Sequence, residues 1–356
     1  MEEELTPDLC VIGAGSGGLS VAAAAAQLGV SVVLVEKGLM GGDCLNYGCV
    51  PSKALLAAAK RADAVRTAST FGIDVLEAQI DHRAVHDHVH RAIANIAPND
   101  SLERFTGLGV RVIKAQASFL DKDTLEAGPV LVKARRFVIA TGGTPNVPAI
   151  PGLDEVPYLT NETIFDLGER VQHLIVLGGG PIGLELGQAY NMLGAEVSIF
   201  DTGDFITKED PEAAQVVLKR LEESGVAMYP HTRVERVEPS VQGLTVHFQQ
   251  GNENVIVKGS HLLVAIGRRP NLKALSLDRA GVTHTDRGIK VNEQLKTSNR
   301  KIYAIGDAVG GQQFTHLANY HASIVIKNAL FRLKPDVSAM HIPRVMYTDP
   351  ELAQVG

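Results

Sequence analysis

The chain has 356 residues, more than one ordinary core accommodates, so two or three domains are expected. Hydrophobic residues make up 45% and charged residues 21%, the balance of a globular protein, and a net charge of -6 gives no basis for nucleic-acid or anionic-membrane partners. Three cysteines are too few for a disulfide scaffold, the acidic start "MEEEL" lacks the basic region of a secretory signal, and the most apolar run is broken by Gln27 and Gly29 before it could span a bilayer, so a cytoplasmic location is expected.

The first predicted element is an apolar strand, Leu9 to Ile12. Gly13, Gly15 and Gly18 follow, then an alanine-rich helix and a second strand, Ser31 to Val35, ending at Glu36. In this strand, turn, helix, strand order Gly13 lets the chain turn, Gly15 lets the backbone approach a pyrophosphate, and Gly18 lets helix and strand pack closely. The helix N-terminus aims free N–H groups and the positive end of its dipole at phosphate. Glu36 can accept hydrogen bonds from ribose hydroxyls. Cys10 lies within the first strand and reads as a core residue.

Next comes "GGDCLNYGCVPSK", Gly41 to Lys53, which holds Cys44 and Cys49 in a C-x4-C spacing. Three readings compete. Zinc needs four ligands, usually with C-x2-C pairs, and no other Cys or His lies close by. Two ordinary buried cysteines fit poorly with Gly41, Gly42, Asp43, Asn46 and Gly48, which do not make a core strand. A redox-active disulfide is favoured. Five residues of regular helix rise about 7.5 Å and turn about 140°, whereas the bond needs Cα atoms closer than about 7 Å. The helix must therefore be distorted, and Gly48 allows it. Pro51 suits the first turn of a helix continuing through "SKALLAAAKRA". Cys49 then stands near that helix's N-terminus, where the dipole favours a thiolate, and Lys53 adds positive charge one turn on. A strained, dipole-assisted disulfide is readily reduced and reoxidised.

Further along, His82, His86 and His90 in "DHRAVHDHVHRAI" share one helical face. Asp81, Arg83, Asp87 and Arg91 among them indicate a solvated face, and no metal site is expected. "RRFVIATGGTPNVPAIPG" runs a strand into a glycine turn and Pro-Asn. "HLIVLGGGPIGLELGQAYNMLGAEVSIFD" then repeats the dinucleotide pattern, with Gly178, Gly180 and Gly183 in the turn and Asp201 closing the second strand. Gly13 to Glu36 and Gly178 to Asp201 each span 23 positions. Two units of one spacing argue for two dinucleotide sites, an arrangement suited to passing electrons between them. Both second strands end in a carboxylate, which accepts a free 2′-hydroxyl and repels a 2′-phosphate. With only Lys208 near Asp201, NAD is preferred over NADP at the second site. "RLEESGVAMYP" and "VERVEPSVQG" read as a helix end and a strand pair within the second nucleotide domain. "SHLLVAIGRRPNL" matches the earlier strand-turn-Pro-Asn segment, so each closes its own nucleotide unit. "KIYAIGDAVGG" brings Asp307 to a strand's carboxyl end, the ligand side of a doubly wound sheet.

Together, "GAGSGG", "GGDCLNYGCVPSKAL", "VIATGG", "GGGPIGLELG", "AIGRRPN", "IYAIGDA" and "YTDPELAQVG" resemble the flavin-dependent pyridine nucleotide–disulfide oxidoreductases, in that family's order from Cys10 to Gly356. The family includes dihydrolipoamide dehydrogenase, glutathione reductase and mercuric reductase. The resemblance implies an α/β fold with two Rossmann-like, three-layer nucleotide-binding domains, the NAD domain inserted in the FAD domain. Residues 1–149 and 271–338 would bind FAD, 150–270 would bind NAD(P), and 339–356 would open an interface domain. FAD is implied on the first glycine unit, with Glu36 on its adenosine ribose and Asp307 near its ribityl and pyrophosphate part. NAD(P)H is implied on the second unit. Thr141 and Gly142, with Gly267 and Arg268, fall in motifs that line the cofactors. Cys49 matches the cysteine next to the flavin and Cys44 the interchange thiol that attacks the external substrate. Lys53 and Glu185 match an ion pair beside the reactive edge of the flavin. The implied activity is electron transfer between NAD(P)H and a dithiol or disulfide through the Cys44–Cys49 couple, with dihydrolipoamide first and mercuric ion second as substrate, in a homodimeric parent protein.

Three departures qualify that resemblance. The chain ends at "YTDPELAQVG", which resembles only the opening of the interface domain, and nothing matches the family's His-Glu dyad. A truncated chain impaired in disulfide turnover is therefore expected, and a non-catalytic nucleotide-binding module is the rival reading. Pro181 stands where glutathione reductase-like members carry a tyrosine, which points away from that branch. "THLANYHASIVIKNALFRL" differs from the dihydrolipoamide dehydrogenase segment and is similar to the mercuric reductase-like branch.

Overall fold

Short apolar runs without polar alternation, such as "LCVI", "VVLVE" and "HLIVL", become parallel strands buried on both faces. The computed structural model describes residues 3–75, 79–251, 253–339 and 341–356. The chain groups into two units: Met1–Asn46, Ala94–Thr144 and Arg268–His341 form the first, and Tyr47–Ile93, Pro145–Gly267 and Ile342–Gly356 the second.

The first unit is built on a five-stranded parallel sheet in the order Ile302–Ala304, Arg136–Ile139, Leu9–Ile12, Val32–Glu36, Arg111–Lys114. Leu9 pairs with Val32 and Ile12 with Val35, so the glycine turn and Glu36 emerge at the same carboxyl edge. Pleating sends alternate residues to opposite faces. Leu9, Val11, Leu34 and Val138 pack against helices Ser16–Gln27 and Thr315–Phe331. Cys10, Ile12, Val33 and Phe137 pack against a second sheet that contains Phe119, Leu125 and Val132. Each such fully buried large side chain contributes about 1.5–3 kcal/mol.

The second unit has the same layering. Its parallel sheet runs Ala227–Tyr229, Glu196–Phe200, His173–Leu177, His261–Val264. Leu174, Val176, Val197 and Ile199 face helices Cys49–Arg66, Pro181–Met192 and Pro211–Glu223. Ile175, Leu177, Phe200 and Val264 face the antiparallel meander Val234–Ser240, Gly243–Gln250, Glu253–Gly259. The three-layer α/β expectation therefore describes each unit.

Helix His82–Ile96 corrects the solvated-face expectation. His82, His86 and His90 are half-buried, because the same face carries Val85 and Val89, which pack towards Leu55 and Phe165 in the second unit's core. His90 lies 3.2 Å from the Phe165 carbonyl, and the His86 and His90 rings are 4.2 Å apart. Among the described residues no helix is long and apolar enough to cross a membrane.

Candidate active site

The two glycine loops repeat each other bond for bond. Gly13 and Gly178 have φ of 105° and 114°, a region that favours glycine. Their N–H groups donate to Val35 and Phe200 carbonyls, both at 2.8 Å. A Cβ on Gly18 would stand 1.9 Å from the Gly13 carbonyl oxygen, and one on Gly183 1.9 Å from the Gly178 carbonyl oxygen. These third glycines are therefore required by helix–turn packing. A Cβ on Gly15 would meet nothing nearer than 4.0 Å, and one on Gly180 nothing within 4 Å, which leaves the backbone at each helix start approachable by phosphate.

The acidic residues also match. Glu36 accepts from Ala14 N–H at 2.6 Å and from Gly38 N–H at 2.6 Å. Asp201 accepts from Gly179 N–H at 2.7 Å and from Gly203 N–H at 2.9 Å. Each carboxylate closes its loop onto the strand end, and each oxygen keeps a second lone pair for a ribose hydroxyl.

The cysteine segment is broken at the predicted place. Cys44 is half-buried on a short helix, Gly42–Asn46, and Gly48, at φ -128° and ψ -113°, separates it from helix Cys49–Arg66. In the first unit, Gly41 N–H donates to the Ala14 carbonyl at 3.0 Å, and a Cβ on Gly42 would stand 2.5 Å from Gly15 Cα. The Cys44 helix thus lies against the first glycine loop. The Asn46 amide holds it by donating to the Met40 and Gly42 carbonyls. In the second unit, Cys49 is exposed in the first turn of its helix, where the positive end of the helix dipole favours a thiolate. Cys10, by contrast, is wholly buried in a central strand, and burial pushes its thiol up.

Lys53 and Glu185, 132 positions apart, meet at 2.8 Å. Glu185 lies on helix Pro181–Met192, which starts at the second glycine loop, and its side chain is 8% exposed. Its other oxygen accepts from the Tyr347 N–H at 2.9 Å. The Tyr347 ring lies 4.4 Å from the Lys53 ammonium.

In the first unit Arg268 gathers three groups. Its guanidinium lies 3.1 Å from Asp43 and 3.5 Å from Asp307, and it donates to the Gly143 carbonyl at 2.7 Å. Burial raises the Asp307 carboxyl above its ordinary range; Arg268 opposes that and Asp43 reinforces it. Next to this cluster Gly142 takes φ of 66°, and the Thr141 hydroxyl is buried with no partner. In the second unit Gly267 has φ of 107° with open space where a Cβ would be.

The model of the pyridine nucleotide-disulphide oxidoreductases matches residues 7–322. The chain belongs to that family. Among curated members, the mercuric reductase of Lysinibacillus sphaericus is 34% identical over 351 residues, covering 98% of this chain and 64% of its own. The dihydrolipoyl dehydrogenase of Bacillus subtilis (strain 168) is 34% identical over 356 residues, with 98% and 77% covered. The chain thus spans about two thirds of the length of the mercuric reductase it matches, 64%. Among solved structures, the HOCl-induced flavoprotein disulfide reductase RclA of Escherichia coli, as its Cu(II) complex, superposes with a TM-score of 0.87 at 26% identity, covering 98% of this chain and 77% of that one.

The family implies a flavin, and the residues of the first unit fit one. The unpartnered Thr141 hydroxyl, the open Gly15 backbone and the half-buried Asp307 carboxyl are polar groups suited to a large polyhydroxylated, phosphorylated ligand. The sequence reading missed Asp43, Gln188, His321 and Tyr347. Gln188 had one legible signal, its i+3 position from Glu185 on one helix face. Asp43, His321 and Tyr347 gain meaning only from distant partners.

Proposed function

We propose that this chain belongs to an FAD-dependent oxidoreductase that moves electrons between NAD(P)H and a dithiol or disulfide through a Cys44–Cys49 couple, with NAD as nucleotide and dihydrolipoamide as first substrate. One observation carries the reading: the helix opened by Cys49 is joined, through Lys53 and Glu185 at 2.8 Å, to the helix that starts at the second glycine loop. That bond ties a reactive sulfur to a nucleotide-binding element.

Glu36, Thr141, Arg268 and Asp307 would hold the flavin, and the Asp201 carboxylate would select a nucleotide with a free 2′-hydroxyl. Bound FAD supplies a two-electron relay between a nicotinamide and a sulfur pair. Two electrons break the Cys44–Cys49 bond and leave two sulfurs in reduced form. Cys49, at a helix N-terminus with Lys53 one turn on, is the sulfur held as thiolate. Cys44 attacks an external disulfide, forms a mixed disulfide and expels one substrate thiolate. Attack by Cys49 on Cys44 then expels the second thiolate and restores the couple. The two substrate thiolates take up two protons, so atoms and electrons balance. Dihydrolipoamide oxidation is the same sequence reversed.

A second reading, two-electron reduction of mercuric ion, is supported by relatives of that name, which are as similar as the dihydrolipoyl dehydrogenases at 34% identity. The deciding experiment is anaerobic titration of flavin-loaded protein. A working couple takes up about four electrons per flavin, two of them on sulfur, and Cys44→Ser takes about two. Equal uptake by both proteins would refute the redox couple and leave a nucleotide-binding module. Parallel assays with lipoamide and mercuric ion then separate the substrates.

A further inference from the structure

The Lys53 side chain is 36% exposed, so its attraction to Glu185 is screened by water and does not alone fix the ammonium. The ammonium also donates to the Ser52 hydroxyl at 3.3 Å, and a further restraint comes from a segment nearly three hundred positions along the chain. Tyr347 lies at the end of strand Pro343–Met346, in the loop before strand Leu352–Val355. Its ring presents a face to the Lys53 ammonium at 4.4 Å, and its main-chain N–H holds the Glu185 oxygen that Lys53 does not use, at 2.9 Å.

The loop is itself clamped to the Glu185 helix. Gln188, one turn beyond Glu185 and 1% exposed, donates to the Asp349 carbonyl at 2.8 Å and accepts from the Asp349 N–H at 2.7 Å. Between them Thr348 is fully buried, its hydroxyl donating to the Pro350 carbonyl at 2.8 Å. One residue therefore touches both members of the ion pair, from a backbone that cannot slide along the helix without breaking two part-buried hydrogen bonds. An aromatic face attracts an ammonium through its quadrupole and excludes water from that side.

We propose that Tyr347 is a positioning residue for Lys53: its ring and main chain hold the Lys53–Glu185 pair in one geometry, so that the ammonium is fixed one turn from Cys49. The inference deepens the function proposed above and rests on it for the part Lys53 plays.

The test combines Tyr347→Leu, Tyr347→Phe, Lys53→Met and the double variant Tyr347→Leu/Lys53→Met. Before flavin is loaded, competitive acetylation of lysines read by mass spectrometry reports how tightly each ammonium is held, with Lys60 as internal reference. Tyr347→Leu raises Lys53 labelling about three- to tenfold relative to Lys60, and Tyr347→Phe leaves it within about twofold, because the ring is kept. After loading, reduction of the flavin by NADH slows about three- to tenfold in Tyr347→Leu, and the double variant is no slower than Lys53→Met.

Unchanged Lys53 labelling in Tyr347→Leu, or an additive slowing in the double variant, overturns the inference while leaving the functional reading standing. A Lys53→Met protein that is reduced as fast as the parent overturns the functional role of Lys53 itself. If Tyr347→Leu does not fold, Tyr347→Phe decides: Lys53 labelling within about twofold of the parent supports the inference, and labelling raised well beyond that overturns it, because the ring is kept and only the hydroxyl is lost.

Discussion

Asp43 lies 3.1 Å from the guanidinium of Arg268. The contact joins the residue before Cys44 to the cluster containing Asp307, and it places the Arg268 guanidinium, 10% exposed, between two carboxyl groups. Removing that cation leaves Asp43 and Asp307 facing each other. Arg268→Met therefore lowers stability by about 1–3 kcal/mol in urea denaturation, because the half-buried Asp307 carboxyl and the Gly143 carbonyl lose their partner. It also pushes the Asp307 carboxyl further up. Arg268→Lys recovers only part of the loss, since an ammonium cannot serve Asp43, Asp307 and the Gly143 carbonyl in one plane. A variant with parental stability would show the cluster to be energetically idle.

The two glycine loops can be separated by mutation. A Cβ at Gly183 stands 1.9 Å from a backbone oxygen, whereas one at Gly187 stands 3.0 Å from the end of the Ile199 side chain, which can shift. Gly183→Ala is expected to abolish NADH binding, with flavin content retained if the protein folds. Gly187→Ala is expected to bind NADH within about threefold of the parent, its cost limited to about 1 kcal/mol of overpacking. Isothermal titration with NADH and the flavin absorbance of the purified proteins measure both. Equal behaviour of the two variants would contradict the packing account.

His321 gives a pH dependence with a definite sign. It is 5% exposed on helix Thr315–Phe331, and its Nδ1 accepts from the Gly306 N–H at 3.1 Å, beside Asp307. Burial lowers its pKa from 6.5 to about 4. Between those values the unfolded chain binds the extra proton and the folded chain does not, so stability rises with pH across that window. The contribution is complete above about pH 6.5 and is lost as pH falls towards about 4, with a span of about 3 kcal/mol. His321→Asn keeps an acceptor for Gly306 and removes the proton. Its stability, followed by thermal melts from pH 4 to 7, should vary with pH by about 3 kcal/mol less than the parent's. A parental slope would place the titration elsewhere.

Much of the site was legible because its parts are local. The 23-position spacing from first glycine to carboxylate recurs at Gly13–Glu36 and Gly178–Asp201, and the two structures built on it match bond for bond. The break at Gly48 and the helix from Cys49 were likewise readable from residue types within one turn of each other. Where reading failed, a partner came from far along the chain. The histidine face of helix His82–Ile96 has charged neighbours close by in the chain, whereas Phe165, which His90 meets in the fold, lies 75 positions away.

What the amino-acid order determined by itself was everything set by backbone sterics over a few residues: where glycine must stand, where strands end in acids, where a helix is interrupted between two cysteines. Only the tertiary structure decided which charges meet. Lys53 finds Glu185 and Tyr347, and Arg268 finds Asp43 and Asp307, because folded layers bring together groups that are separated by 39 positions or more in the chain, up to 294. The free energy of each contact depends on burial and orientation, and neither is written in any local stretch of sequence.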